Sequence, residues 1–401
     1  MQLTWYLVLL VLLAGLALIS LRRHESWVHG LHEQTLDEQV LAHDEFARSL
    51  RNGNGNTAAP AVSELARAAL HGSDDTDARL TRLAGMLSRW PINDPNVPTD
   101  YVDGAVPRLD FGTVQGRRKA QRLREMEEPF VLVNVNDVSR ASTIWTKDYL
   151  IRRFGARPHQ VEASTNGNEF TYFSKRAAEH DAPSQWHPPQ DDARLTFAQW
   201  WQIAARANAT VNGAGARSRQ YYWQMSAGEQ RERHSWVTRD LRIFSAEGDG
   251  YAPHGFRFVL DPASNKGTHC RFGSKGVWAT AHYDGKRNFV AMVRGSKRYI
   301  LAPPSQCARL SLWPRGHPSA RHSSIDWRDH AKWGADAAFR EALGMQTVLR
   351  AGEVLYIPSY WFHAPVHLET AIQCNTRSGN ARKGIEALAK CGFKHRAPSS
   401  N

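Results

Sequence analysis

The pattern of apolar and polar positions divides the chain into stretches of different period. Residues 3–21 are almost wholly apolar, and Arg22-Arg23-His24 follow at once. A run of this length matches the roughly 17–25 apolar residues that carry a helix across a bilayer, and basic residues on the far side only argue against a cleavable leader. The expectation is a transmembrane helix over residues 1–22, a single-pass anchor whose positive flank places the body of the protein in the cytosol. Leu36, Val40, Leu41, Phe46 and Leu50 then recur at helical spacing and predict an amphipathic stalk helix over 34–51. Asn52-Gly53-Asn54-Gly55-Asn56 ends it. Helical periodicity resumes over 61–71 and 76–90, and the proline-bearing stretch 91–107 reads as a long loop, so 23–127 forms a helical and loop region.

From about residue 128 the period shortens. Phe130-Val131-Leu132-Val133-Asn134-Val135 is a buried-strand run, and a short helix follows over 145–154. Further strand-type runs lie at 220–224, 276–283, 288–293, 297–301, 354–357 and 369–375, separated by turns that contain Gly or Pro. Many short strands with turn signals predict a mostly β domain over 128–380, an antiparallel barrel or double sheet with flanking helices outside it. A basic tail over 381–401 completes the chain.

Composition supports a folded body: 42% of residues are hydrophobic and 14 are Trp, which excludes a disordered chain. The formal charge of +12 favours acidic surfaces. With no dense Lys/Arg block, it reads equally as a solvated basic face, so nucleic acid is possible as a partner but not indicated. Cys270, Cys307, Cys374 and Cys391 are widely spaced without a C-x-x-C pair, which indicates neither a zinc site nor a disulfide framework and leaves them as buried thiols.

Candidate chemistry centres on Trp278-Ala279-Thr280-Ala281-His282-Tyr283-Asp284. On a continuous strand, Trp278, Thr280, His282 and Asp284 share one face. An imidazole beside a carboxylate on an inner wall calls for a partner, because an unpaired buried carboxylate is costly, and a metal ion satisfies both. His-x-Asp plus a distant His is the facial triad that holds ferrous iron from one side. The spacing alone recurs at His43-Asp44-Glu45, in the stalk, and at His367-Leu368-Glu369. Context separates them: a strand at 288–293, the turn Arg294-Gly295-Ser296 and a returning strand follow Asp284. Downstream, Gly352-Glu353 turns into Val354-Leu355-Tyr356-Ile357-Pro358, and Tyr360-Trp361-Phe362 leads to His363. Taken alone, His363 reads as a buried structural histidine and Lys297 equally as an exposed hairpin lysine.

Taken together, Thr280-Ala281-His282-Tyr283-Asp284, Asn288-Phe289, Gly295-Ser296-Lys297-Arg298, Pro303-Pro304, Gly352 to Pro358 and Tyr360 to His363 resemble the JmjC family. The resemblance is to its cupin-like branch, with factor-inhibiting-HIF-type asparaginyl hydroxylases, and covers about 130–377. It implies a double-stranded β-helix, Fe(II) held by His282, Asp284 and His363, and 2-oxoglutarate as cosubstrate. Lys297 would bind the distal carboxylate with help from Thr280, while Asn288, Asn375 and Tyr222 would line the pocket. Ala364-Pro365 and Thr376-Arg377 depart from the family pattern and bear on the substrate-facing wall.

The implied activity is that of a 2-oxoglutarate-dependent dioxygenase, expected to hydroxylate a side chain of a protein or peptide substrate. Demethylation of methyl-lysine and hydroxylation of a nucleic-acid base are alternatives. The competing reading from another class is a catalytically inactive, membrane-tethered cupin-like binding module, and a third is a metal barrel that takes no cosubstrate.

Overall fold

A computed structural model describes residues 76–209, 219–227, 234–245 and 251–393. Within these, short strands run in chain order as β1 (Thr81–Arg82), β2 (Arg108–Asp110), β3 (Phe130–Val133), β4 (His159–Ser164), β5 (Glu169–Phe170), β6 (Gln190–Leu195), β7 (Tyr221–Ala227) and β8 (Thr268–Gly273). They continue as β9 (Trp278–Ala279), β10 (His282–Tyr283), β11 (Arg287–Arg294), β12 (Ser296–Ala302), β13 (Leu343–Arg350), β14 (Val354–Ile357), β15 (Phe362–His367) and β16 (Ala371–Ser378). One sheet has the order β2-β3-β14-β11-β16-β8-β7-β4-β6. The other runs β1-β13-β12-β15-β9-β5, with β10 also paired to β15.

Period-two alternation explains how the sheets pack. From the larger sheet, Phe289, Ala291, Val293, Ile372, Phe272, Trp223 and Tyr356 point outward into a core shared with Val138 and Ala141 of the helix Asn136–Ile144, Trp145 just after it, and Leu150 and Phe154 of the helix Lys147–Phe154. From the smaller sheet, Ile300, Ala302, Phe362, Ala364 and Val366 pack outward against Leu83, Met86 and Leu87 of the helix Leu83–Arg89. Val290, Met292, Leu355 and Ile357 meet Tyr299, Leu301, Met345 and Leu349 between the sheets. Apolar contact thus closes one end of the interior and leaves the polar inner-face residues at the other.

The turn between β11 and β12 needs glycine. Gly295 has φ 71°, and a Cβ there would lie 2.5 Å from the Thr370 carbonyl oxygen.

Several expectations are corrected. Among the described residues no helix is long and apolar enough to cross a membrane. The helix Phe197–Ala209, at 13 residues, reaches about 20 Å, against a hydrocarbon core of about 30 Å. The anchor expected over 1–22 and the helices expected over 34–51 and 61–71 lie outside the described residues. Over the described residues the architecture is therefore mostly β with flanking helices and contains no transmembrane helix. The single-pass, cytosol-facing localisation drawn from residues 1–22 therefore has no support in the described residues.

The strand expected over 276–283 is two short pieces, because the Thr280 amide donates to the Phe170 carbonyl and the Ala281 carbonyl accepts from Ser323. The tail contains a helix, Arg382–Ala389, whose Leu388 is buried and whose Gly384 lies against Tyr360. Cys270 and Cys374 are opposite one another on β8 and β16 and are disulfide-bonded, as are Cys307 and Cys391. Contact between segments distant in sequence, through strand pairing for Cys270–Cys374 and through packing of the segments Pro304–Arg309 and Arg382–Ala389 for Cys307–Cys391, replaces the expected free thiols.

Candidate metal centre and its cavity

β10 is only two residues long, yet it sets the site. It pairs with β15 so that His282 stands opposite His363 and Tyr283 opposite Phe362. The His282 Nδ1 lies 2.7 Å from the Thr280 carbonyl oxygen and the His363 Nδ1 3.1 Å from that of Trp361. A carbonyl only accepts, so each Nδ1 carries the proton and each Nε2 keeps its lone pair free. Asp284 follows β10 at the start of a turn, and its carbonyl accepts from the Tyr360 amide at 2.7 Å. Tyr360 itself adopts φ 66°, a left-handed conformation rare for an aromatic residue, so the turn before His363 is clamped to the segment that carries Asp284.

One donor atom from each of His282, Asp284 and His363 lies within 4.8 Å of the other two, and no other cluster among the described residues meets this condition. The His363 Nε2 is 3.9 Å from the Asp284 Oδ2. Burial, followed by the neighbouring His363 and His322, holds His282 well below its ordinary pKa, and burial also lowers His363. Burial would raise the Asp284 carboxyl, but Arg377, then the two histidines and Arg321, outweigh it and hold it below the usual carboxylate range. Two neutral imidazoles and one carboxylate on one side of a cavity fit a divalent ion of the ferrous type.

The cavity holds about 540 Å³ and is lined by all three. Tyr222, Asn288 and Asn375 also line it. The Asn375 Nδ2 donates to the Asn288 Oδ1 at 2.9 Å. Lys297 is fully buried rather than exposed on its hairpin. Its Nζ donates to the Gln373 Oε1 at 2.7 Å and sits 5.9 Å from the centre of the Tyr222 ring. Gln373, Tyr222 and Tyr299 reach the cavity surface in front of it. Burial, then Arg271, pushes the Lys297 ammonium well below its usual pKa.

Of the sequence candidates, Lys297 stands behind the cavity wall and Thr280 is turned away from it. Its hydroxyl donates to the Thr171 Oγ1 at 2.7 Å, and the break between β9 and β10 turns Ala279 to the wall instead. The decoy pair at His367 and Glu369 also divides: His367 is buried and bonded to the Gly273 carbonyl, while Glu369 accepts from the Ser296 hydroxyl.

Sequence reading misses several wall residues. Arg377, noted only as a departure, donates to the Asp284 Oδ1 at 2.8 Å, and Arg321 lies 3.7 Å from the same oxygen. His322 stacks on His282 at 5.0 Å. Arg271 and Gln373 line the inner wall. Only the strand alternation around Cys270 and Phe272 would have pointed Arg271 inward.

Two packed, mainly antiparallel sheets with a two-histidine, one-carboxylate cluster inside one end define the cupin class of β-proteins. The model of the family described as "Cupin-like domain" matches residues 118–376, and the chain belongs to that family. The tRNA wybutosine-synthesizing protein 4 of Emericella nidulans is 24% identical over 258 residues, covering 63% of this chain and 20% of that protein. The tRNA wybutosine-synthesizing protein 5 of Homo sapiens is 26% identical over 270 residues, 67% of this chain and 76% of that protein. Lysine-specific demethylase JMJ31 of Arabidopsis thaliana is 28% identical over 109 residues, 26% of this chain and 19% of that protein. The chain spans about a fifth of the length of the wybutosine-synthesizing proteins 4 of Emericella nidulans and Aspergillus oryzae, 20% and 22%. These relatives are named for tRNA wybutosine synthesis and lysine demethylation, so the comparisons show the family and do not show the asparaginyl-hydroxylase branch.

Proposed function

We propose that this chain is an Fe(II)- and 2-oxoglutarate-dependent oxygenase, with His282, Asp284 and His363 as the iron ligands. The carrying observation is the convergence of these donors, each histidine fixed through its Nδ1, in a cavity backed by a buried lysine. Bound there, iron and cosubstrate supply decarboxylation of 2-oxoglutarate to succinate, one atom of O₂ entering succinate and the other a C–H bond of the substrate. Lys297 supplies the buried cation for the distal carboxylate, behind Tyr222 and Gln373, and Asn288 and Asn375 orient the chelating end. Arg377 holds one oxygen of Asp284 so that the other faces the metal. Trp361 and Phe362, both buried, help keep water from the site.

For the substrate, the wall supports a polyanion, and nucleic acid ahead of the expected protein side chain. Lys266, Lys286, Arg321 and Arg377 line the cavity, and the exposed Tyr172 ring lies 5.0 Å from the Arg321 guanidinium. Cations beside an open aromatic face suit a phosphate backbone with an unstacked base. Relatives named for a step on tRNA point the same way. A methyl-lysine substrate would meet this cationic rim with like charge, and an inactive binding module would not need a complete ligand set.

The test is succinate formation from 2-oxoglutarate by purified protein with Fe(II), in the presence of RNA, DNA or peptide pools. Turnover that requires Fe(II), disappears in His282→Ala and rises with RNA supports the reading. No turnover with any pool from folded, iron-loaded protein contradicts it.

A further inference from the structure

Two cations meet at one glutamine on the inner wall of the cavity. Gln373 accepts from the Lys297 Nζ at 2.7 Å, and on the neighbouring strand it stands directly opposite Arg271. The Arg271 Nη1 donates to the Asn375 Oδ1 at 2.7 Å. Among the described residues, neither cation has a carboxylate within ion-pair distance. The Glu162 carboxylate is close enough to Arg271 to feel its charge, but its hydrogen bond is to Gln224, whose Nε2 donates to it at 2.8 Å.

The pair is electrostatically incomplete. A buried ammonium and a half-buried guanidinium repel each other, and Arg271 is one of the causes that lower the Lys297 pKa. Amide oxygens accept hydrogen bonds from these groups but carry no charge to offset them. The two cations also differ in reach. Arg271 lines the cavity, whereas Lys297 lies behind Tyr222, Tyr299 and Gln373, which do. Gln373 is itself engaged twice, because the Tyr299 hydroxyl donates to the same Oε1. A ligand entering from the metal side therefore meets the guanidinium fork before the ammonium, and a planar carboxylate matches that fork with two parallel bonds.

We propose that Arg271 is a second anchor for the distal carboxylate of 2-oxoglutarate, exchanging its hydrogen bond to Asn375 for the ligand and sharing the carboxylate with Lys297. This rests on the oxygenase reading above. It adds a cosubstrate-binding residue on β8, a strand that carries none of the residues named from the family resemblance.

The experiment is an anaerobic titration of Fe(II)-loaded protein, following the visible charge-transfer band of the chelate. The ligands are 2-oxoglutarate and 2-oxopentanoate, which keeps the chelating end and has a methyl group in place of the distal carboxylate. Loss of a charge-assisted bond predicts that Arg271→Gln weakens 2-oxoglutarate about 10- to 100-fold, with 2-oxopentanoate unchanged and Arg271→Lys in between. Equal weakening of both ligands, or of neither, overturns the proposal and leaves the oxygenase reading standing. If Arg271→Gln does not fold, Arg271→Lys decides by the same comparison: selective loss of 2-oxoglutarate supports the anchor, and parallel behaviour overturns it. Absence of the band in the wild-type protein removes the oxygenase reading and this anchor with it.

Discussion

His282 and His363 stand opposite one another across the β10–β15 pair, their ring centroids 4.3 Å apart, each with Nδ1 bonded to the carbonyl two residues earlier in the chain. The same local device on two strands fixes both rings and aims both Nε2 atoms, with His322 stacked on the His282 ring. The orientation of the two imidazoles is therefore set by the backbone.

His363→Ala and Asp284→Asn should each abolish the stabilisation that Fe(II), or Mn(II) as an air-stable substitute, gives the wild type. An ion at about a hundredfold excess over its Kd adds about 2.7 kcal/mol. Asp284→Asn should also lower the melting temperature of the metal-free protein, because it leaves Arg377 and Arg321 without their carboxylate. Thermal denaturation with and without metal reads both effects.

Lys297→Met should separate stability from binding. Lys297 is fully buried, and its ammonium is held well below its usual pKa by burial. Replacing it with an apolar chain of similar length leaves the free protein as stable as before or more so by about 1 kcal/mol. The affinity for 2-oxoglutarate falls at least tenfold. Chemical denaturation and the anaerobic chelate titration check the two signs independently.

Stability of the metal-free protein should fall as pH drops below 6.5. Burial, then Arg271 and Arg377, lowers His269 from 6.5 to about 4, and burial, then Arg321, lowers His322 to about 3. Between these values and 6.5 the unfolded chain binds protons that the folded chain refuses. The contribution is complete above 6.5 and is lost on descent toward pH 3–4. Melting temperatures at pH 7 and pH 5 should differ, and His269→Gln should narrow the gap.

Charge reversal at the rim, Lys266→Glu with Lys286→Glu, should weaken RNA binding and leave 2-oxoglutarate affinity intact. Both residues line the cavity, and neither touches the three candidate ligands. For single-stranded RNA, the slope of log Kd against log salt should shrink by about 0.7 for each phosphate that is no longer neutralised. Binding measured over a salt series checks this.

How far the sequence foretells this structure depends on where its polar residues point. β11, β12 and β14 are legible because their outward faces are apolar and glycine turns bound them. β15 is not, since Pro365 and two histidines argue against a central strand, yet Pro365 pairs with Tyr299 in its middle. β8 reads as polar because His269 and Arg271 face an internal cavity rather than solvent, a distinction alternation cannot make. The same ambiguity hides Arg271 and Gln373. His282, Asp284 and His363 stand out because two lie close in sequence and the third ends an aromatic run. Thr280 lies off the cavity wall because its expected place assumed one unbroken strand through 276–283, and the chain breaks there to pair with Phe170 and Ser323.

The most direct test is the position of the ion itself. Anaerobic crystals grown with Fe(II) and 2-oxoglutarate, measured across the iron absorption edge, should show one anomalous peak within bonding distance of the His282 Nε2, an Asp284 carboxylate oxygen and the His363 Nε2. A peak elsewhere, or a fully loaded crystal with none between these three residues, would contradict the account.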